Sequence, residues 1–262
     1  MNDRFSTTEL RVSEFERYSR QIMLDNWGEL GQLRLKNSSV VIIGCGGLGN
    51  VVATYLAGAG VGAISLVDGD DVELSNLPRQ MAFDRDSCGL NKADELTQRL
   101  FTQNDEIDIH VNPLFLDADN IGELLPHHDL VIDCSDNFET RRLINRWCVI
   151  NKTPLLSASV IGWQGQALLV LPNTGYGCYQ CLFDEIPKQK NSCQSLGVSP
   201  AMVGVIGSYQ ANEALRFLLK SSSKLSSHIS LIDGADFSVN QFLRTANPQC
   251  DVCADMKEPN ND

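Results

Sequence analysis

The sequence is short of positive charge: its 262 residues carry 21 lysines and arginines against 33 acidic residues, a formal net charge of −12 with a pI near 4.7. So acidic a chain does not bind nucleic acid or anionic lipid through bulk electrostatics, and any phosphate it holds must meet a local cluster of cations. Histidine is scarce, four in all; the adjacent His127 and His128 read as a solvated loop. An apolar leader is missing too. Met1 to Glu16 mixes Asp3, Arg4, Glu9, Arg11 and Glu14 with scattered apolar positions, so a secretory signal is not expected and the protein is read as cytoplasmic. No internal repeat or low-complexity run is visible.

What is present is a core. Hydrophobic residues make up 43% of the chain, enough for one large domain or one plus an appendage. Residues 40–67 contain no charge and exceed the roughly 20 residues that a membrane helix needs. Glycines at 44, 46, 47, 49, 58, 60 and 62 interrupt the stretch, which favours a buried strand, loop, helix and strand over a membrane span.

Strands and helices then alternate. The pattern predicts strands over 40–43, 64–67, 107–111, 130–133 and 155–159, with helices over 48–59, 92–101 and 139–149. Uninterrupted apolar strands such as VVII suit a sheet covered on both faces, which makes the fold class α/β, doubly wound and mostly parallel, Rossmann-like. Later strands over 166–171, 228–233 and 238–243 surround a helix over 202–219 and are expected to extend the same sheet antiparallel. Ser13-x-x-Glu16 has capping-box spacing, so an N-terminal helix with Phe15, Tyr18, Ile22 and Met23 on one face is predicted. Residues 184–195 and 257–262 read as mobile segments.

Gly44-x-Gly46-x-x-Gly49 follows the first strand and opens a helix, where backbone N–H groups and the helix dipole receive phosphate. Asp68 closes the second strand, where a carboxylate can accept hydrogen bonds from ribose hydroxyls. This fingerprint fits a dinucleotide or ATP. Arg79 and Lys92 lie where they can project from the carboxyl edge of the sheet toward a polyphosphate, although solvated surface charge is their plainer reading. Asp136 could hold magnesium or the nucleotide, or simply cap the helix that starts near Glu139.

Nine cysteines are unevenly placed. Cys45, Cys88, Cys134 and Cys148 read as small buried hydrophobes. Cys178-x-x-Cys181 and Cys250-x-x-Cys253 form two knuckles, and four thiolates suit a closed tetrahedral zinc or iron site of structural type; a redox dithiol is the rival for either pair alone. Cys193 stands alone near Lys188 and Lys190, whose charge would favour its thiolate.

RYSRQIML, GCGGLG, LVDGDDVELSNLPRQ, GLNKA and DCSDN, in this order, resemble the ThiF/MoeB family, bacterial relatives of ubiquitin-activating enzymes. The similarity spans Arg17 to Cys253, with the ThiF branch the nearer. Departures are Pro78, where a polar residue is common, Asn91, where proline is usual, and Gln194, where arginine is common. The resemblance implies a homodimer that uses ATP and magnesium to adenylate the C-terminal glycine of a small ubiquitin-fold sulfur carrier. On the thiamine branch that carrier is ThiS; the alternative is the molybdopterin-synthase small subunit, as for MoeB.

Carried over by motif, Gly44, Gly46, Gly47 and Gly49 line the nucleotide loop and Asp68 takes the ribose. Asn76, Arg79 and Lys92 face the phosphates, and Asp136 serves magnesium and the reacting centre. Arg20 is implied to reach the triphosphate of the neighbouring subunit, and Cys193 to become linked to the carrier's terminal sulfur. Cys178, Cys181, Cys250 and Cys253 would hold zinc. With no rhodanese domain after Cys253, sulfur is expected from a separate sulfurtransferase or cysteine desulfurase. A single ThiF-type domain is expected: an N-terminal helical arm over 1–37, a nucleotide-binding half over 38–160 and a carrier-binding and zinc half over 161–256. An NAD-dependent oxidoreductase would explain the glycines and Asp68 but leaves Arg20, Arg79, Lys92 and both knuckles without purpose. A zinc-ribbon nucleic-acid module conflicts with the net charge.

Overall fold

β1 (Ser39–Ile43) is buried along its whole length, as a strand covered on both faces must be. Its side chains alternate between two cores: Val40 and Ile42 enter one, Val41 and Ile43 the other. In this computed structural model, which describes residues 7–172, 174–184 and 197–254, β1 pairs in parallel with β2 (Ala63–Val67) and β4 (Leu130–Asp133). β3 (Asp108–Asn112) adds outside β2 and β5 (Leu155–Ile161) outside β4, both parallel. β6 (Gln164–Val170), β7 (His228–Asp233) and β8 (Ser238–Leu243) continue the sheet antiparallel. The order is β3-β2-β1-β4-β5-β6-β7-β8. The expected mostly parallel sheet with added antiparallel strands is therefore what forms.

One core lies between the sheet and α3 (Gly47–Ala59), α4 (Lys92–Gln103) and α8 (Pro200–Leu218). The opposite core is closed by α5 (Ile121–Leu124), α6 (Phe138–Ile150) and α7 (Tyr179–Leu182), together with three of the four knuckle cysteines. The order in which successive strands are added reverses at the gap between β1 and β4, although both strands run the same way. In such sheets ligands bind beyond the carboxyl ends of the strands at that switch point.

The uncharged stretch over 40–67 is β1, α3 and β2, and no helix among the described residues is long and apolar enough to cross a membrane. The N-terminal region differs from expectation. α1 (Val12–Ile22) begins before Ser13, and Glu14, not Glu16, reaches back to the Arg11 N–H at 2.7 Å. Glu14 and Tyr18 form its inward face, while Phe15 and Met23 are exposed. Lys36, from a second helix α2 (Gly28–Lys36) that the sequence pattern did not suggest, donates to Glu14 at 2.7 Å and makes burial of that carboxylate tolerable.

Candidate nucleotide site and four-cysteine centre

At the carboxyl ends of β1, β2 and β4 the sheet opens into one pocket. Gly44 turns the chain at φ +94°, a left-handed conformation that disfavours other residues, and its N–H is anchored on the Val67 carbonyl at 2.9 Å. A side chain at Gly49 would place its Cβ 1.8 Å from the Gly44 carbonyl oxygen. The loop and the first turn of α3 are thus pressed together, and Gly46, Gly47 and Leu48 line the pocket, where the free N–H groups of a helix start can receive an anion.

Asp68 stands opposite. Its carboxylate accepts the Cys45 N–H at 2.7 Å and the Asp70 N–H at 2.8 Å, which fixes its orientation. Burial raises its pKa, and the two N–H groups and the nearby Lys92 only partly offset that rise. Lys92 is itself buried, with its ammonium 3.0 Å from an Asp70 oxygen. The departure at Asn91 is accommodated locally: its side chain accepts from the Ala93 and Asp94 N–H groups and caps α4.

Arg79 follows the short 3-10 turn Leu74–Asn76, and its guanidinium donates to the Ser75 carbonyl at 2.9 Å while lining the pocket. Asn76 is buried and lines it too, though its side-chain oxygen already accepts the Glu73 N–H. Asp136 lies exposed on the wall, and the helix cap that might have used it belongs to Asn137, which accepts the Thr140 N–H at 2.9 Å.

Gly44, Gly46, Gly47, Asp68, Asn76, Arg79, Lys92 and Asp136 therefore share one pocket. Gly49 acts from behind it through packing. Arg20 is exposed on α1 and is not among the residues lining this pocket. Cys193 lies outside the described residues, as do most of 184–195 and all of 257–262.

Sequence reasoning missed one residue here. Arg141 of α6 is 7% exposed, lines the pocket and donates to the Ser135 carbonyl at 2.5 Å, with its Nε 4.0 Å from the fully buried Asp133. Asp133 also accepts the Ser135 N–H and the hydroxyls of Ser135 and Ser157. This network holds the turn from which Asp136 projects. Its signal was present in the helical face Arg141, Ile144, Asn145 and Cys148, all buried.

The four knuckle cysteines meet with their sulfurs all within 4.8 Å of one another. Cys178 and Cys250 are 3.8 Å apart and Cys181 and Cys253 3.2 Å, near the ~3.8 Å edge of a tetrahedron with zinc–sulfur bonds of about 2.3 Å. The donor set fits a closed site that could hold zinc. Asn145 donates to Cys178 at 3.4 Å and the Asn247 N–H to Cys181 at 3.3 Å. A hydrogen bond from Cys178 holds the Cys181 thiol down to about 4 and pushes Cys178 up, while burial pushes Cys253 up to about 12. Of the four lone cysteines, Cys45, Cys134 and Cys148 are buried as expected, but Cys88 is exposed, because it sits in a surface turn after β2.

A glycine loop at a sheet switch point, with a four-thiol cluster behind the same sheet, defines a Rossmann-like α/β protein that carries a cysteine cluster able to hold a metal ion. The ThiF family model matches residues 18–252, and the chain belongs to that family. It is 40% identical over 246 residues to adenylyltransferase and sulfurtransferase MOCS3 of Caenorhabditis briggsae, covering 93% of this chain and 61% of that protein. For the MOCS3 of Aedes aegypti the figures are 42% over 249 residues, 94% and 57%. The chain thus spans about three fifths of these relatives. Among solved structures, Escherichia coli MccB with ATP superposes with a TM-score of 0.79 at 28% identity, covering 91% of this chain and 75% of that one. PaaA, at 23% identity and a TM-score of 0.77, shares the fold over 94% of this chain and 78% of its own.

Proposed function

We propose that the protein is an ATP-dependent adenylyltransferase that activates the C-terminal glycine of a ubiquitin-fold sulfur carrier. The observation that carries this reading is the gathering of Gly44, Asp68, Arg79, Lys92 and Asp136 around one pocket at the switch point. The names of the MOCS3 relatives and the ATP complex of MccB agree with it.

A glycine carboxylate is ionised at neutral pH and needs no general base. Its oxygen forms a bond to the α-phosphorus as the bond from that phosphorus to the bridging oxygen of the β-phosphate breaks, and pyrophosphate leaves with the electron pair. The difficulty is bringing anion to anion. In this reading Asp68 anchors the ribose, the start of α3 receives phosphate, and Lys92 and Arg79 neutralise charge as it moves to the leaving group. Asp136 suits magnesium, which binds through one or two carboxylates plus substrate phosphates; when bound it would neutralise phosphate charge. Cys178, Cys181, Cys250 and Cys253 would hold zinc, which when bound would serve structure.

Arg20, exposed on α1, is assigned to the pocket of a second subunit in a homodimer. Cys193 is assigned to the later sulfur-transfer step. The arm, nucleotide half and carrier half over 1–37, 38–160 and 161–256 remain our division of labour, in a cytoplasmic enzyme. The carrier we favour is ThiS of the thiamine branch. The MOCS3 similarity keeps the molybdopterin-synthase small subunit as the second reading.

Pyrophosphate exchange into ATP, run with each purified carrier, tests both levels. Exchange with ThiS is expected. Exchange with the molybdopterin carrier alone would overturn the branch, and tight NADH binding without exchange with either carrier would overturn the reaction class. Cys193→Ser is expected to spare exchange and block thiocarboxylate formation.

A further inference from the structure

Immediately after β8, Arg244 turns inward and is 2% exposed, the bulkiest among the fully buried side chains. Its guanidinium donates to the carbonyls of Gly177 at 3.0 Å, Leu169 at 2.7 Å, Leu225 at 3.1 Å and Ser226 at 2.8 Å. All four are neutral. Among the described residues no carboxylate forms an ion pair with it, whereas Arg146 and Asp251, also near the cysteines, are exposed and pair with each other. A guanidinium stays charged, and a buried charge is tolerated only with a compensating charge or an equivalent set of dipoles.

The cysteine cluster adjoins this guanidinium. Gly177, which accepts from Arg244, directly precedes Cys178, and a Cβ at Gly177 would lie 3.1 Å from the Cys181 sulfur and 3.0 Å from the Thr245 carbonyl. Arg244, the first knuckle and the chain leading to the second knuckle therefore pack as one unit. Four thiolates around a divalent ion carry a net charge of minus two, in a place where only Cys181 is more than marginally exposed.

We propose that Arg244 is the counter-charge of the four-cysteine centre: a positioning residue that offsets its negative charge and, through the Gly177 carbonyl, fixes the first knuckle. This rests on the reading of the cluster as a metal site. Among the described residues, Asn145 and the Asn247 N–H donate to its sulfurs and both are neutral, and in this reading the formal positive charge comes from Arg244.

The test is zinc affinity of the full chain by competition with a chromophoric chelator at fixed pH under reducing conditions. Arg244→Gln keeps hydrogen-bond donors and removes the charge; Arg244→Lys keeps the charge and gives up the fork. The Gln variant is expected to bind zinc roughly ten- to hundredfold more weakly, the range for changes just outside a metal's ligands. The Lys variant is expected to stay within about threefold of the parent. Equal affinity in the Gln variant and the parent would overturn the counter-charge. A Lys variant as weak as the Gln variant would also overturn it and leave a purely geometric role. Should the Gln variant not fold, the Lys variant decides alone, a tenfold or larger loss overturning the proposal. A parent chain that takes up no metal would instead remove the metal reading itself, and this proposal with it.

Discussion

The Asp68 carboxylate accepts two backbone N–H groups, yet burial leaves its pKa raised. A carboxyl whose pKa rises on folding binds its proton more tightly in the native state. It therefore takes stability away at neutral pH and returns it as the pH falls from above the folded pKa toward the unfolded value near 3.8. Asp68→Asn is expected to unfold in urea at the same or a higher midpoint at pH 7, with the difference closing in acid. The ATP KM should nonetheless rise roughly ten- to hundredfold, since hydrogen bonds to a charged acceptor are worth about 1.5–3 kcal/mol. Arg141 argues the opposite way. Truncating it leaves Asp133 buried without its facing cation, so Arg141→Met should cost about 3–5 kcal/mol by urea unfolding. Asp68 was legible because a strand end after a glycine loop calls for a carboxylate. Arg141 was not singled out, because FETRRLINRW offers three arginines and only the buried helical face decides which points inward.

Among the elements, the junction of β1 and α3 is the least forgiving. Gly49→Ala would drive a Cβ into the Gly44 carbonyl at 1.8 Å, so the loop or the helix start must move and pyrophosphate exchange should disappear. Gly122→Ala in α5 meets nothing within 4 Å and should be neutral or stabilising by roughly 0.5–1 kcal/mol, as a helical glycine replaced by alanine normally is. A Gly49 variant that retained pyrophosphate exchange would show that the close approach is not what shapes the pocket. Most strands and long helices were readable from period and punctuation, within a few residues at their ends. α2 was not, since GELGQLRLK has no strong apolar face; it forms because Gly31 lets the helix close against Leu219 and Trp27, contacts distant in sequence or at its own cap. The capping box was misplaced because Glu14 is selected by Lys36, a partner that local spacing does not reveal.

At the scale of the whole molecule, the sheet separates a nucleotide-side core containing α3 and α8 from a second core containing α6 and three of the knuckle cysteines, yet α6 belongs to both functions. Asn145 bonds Cys178 and the Tyr179 N–H, and one turn earlier Arg141 holds the Ser135 carbonyl on the pocket wall. A metal-free centre would leave four thiols within 4.8 Å of one another with no common ion to bond them. The two knuckles, far apart in sequence, would then be free to part. Chelation under reducing conditions is therefore expected to lower Tm and to speed amide hydrogen exchange in α6 and residues 244–254, while α3 and α8 stay protected. The ATP KM should rise severalfold although none of the four cysteines lines the pocket, because the Arg141 end of α6 loosens with the Asn145 end. Faster exchange confined to 244–254, with α6 and the KM unchanged, would show that the cluster ties down only the C-terminal segment and that nucleotide binding is independent of it.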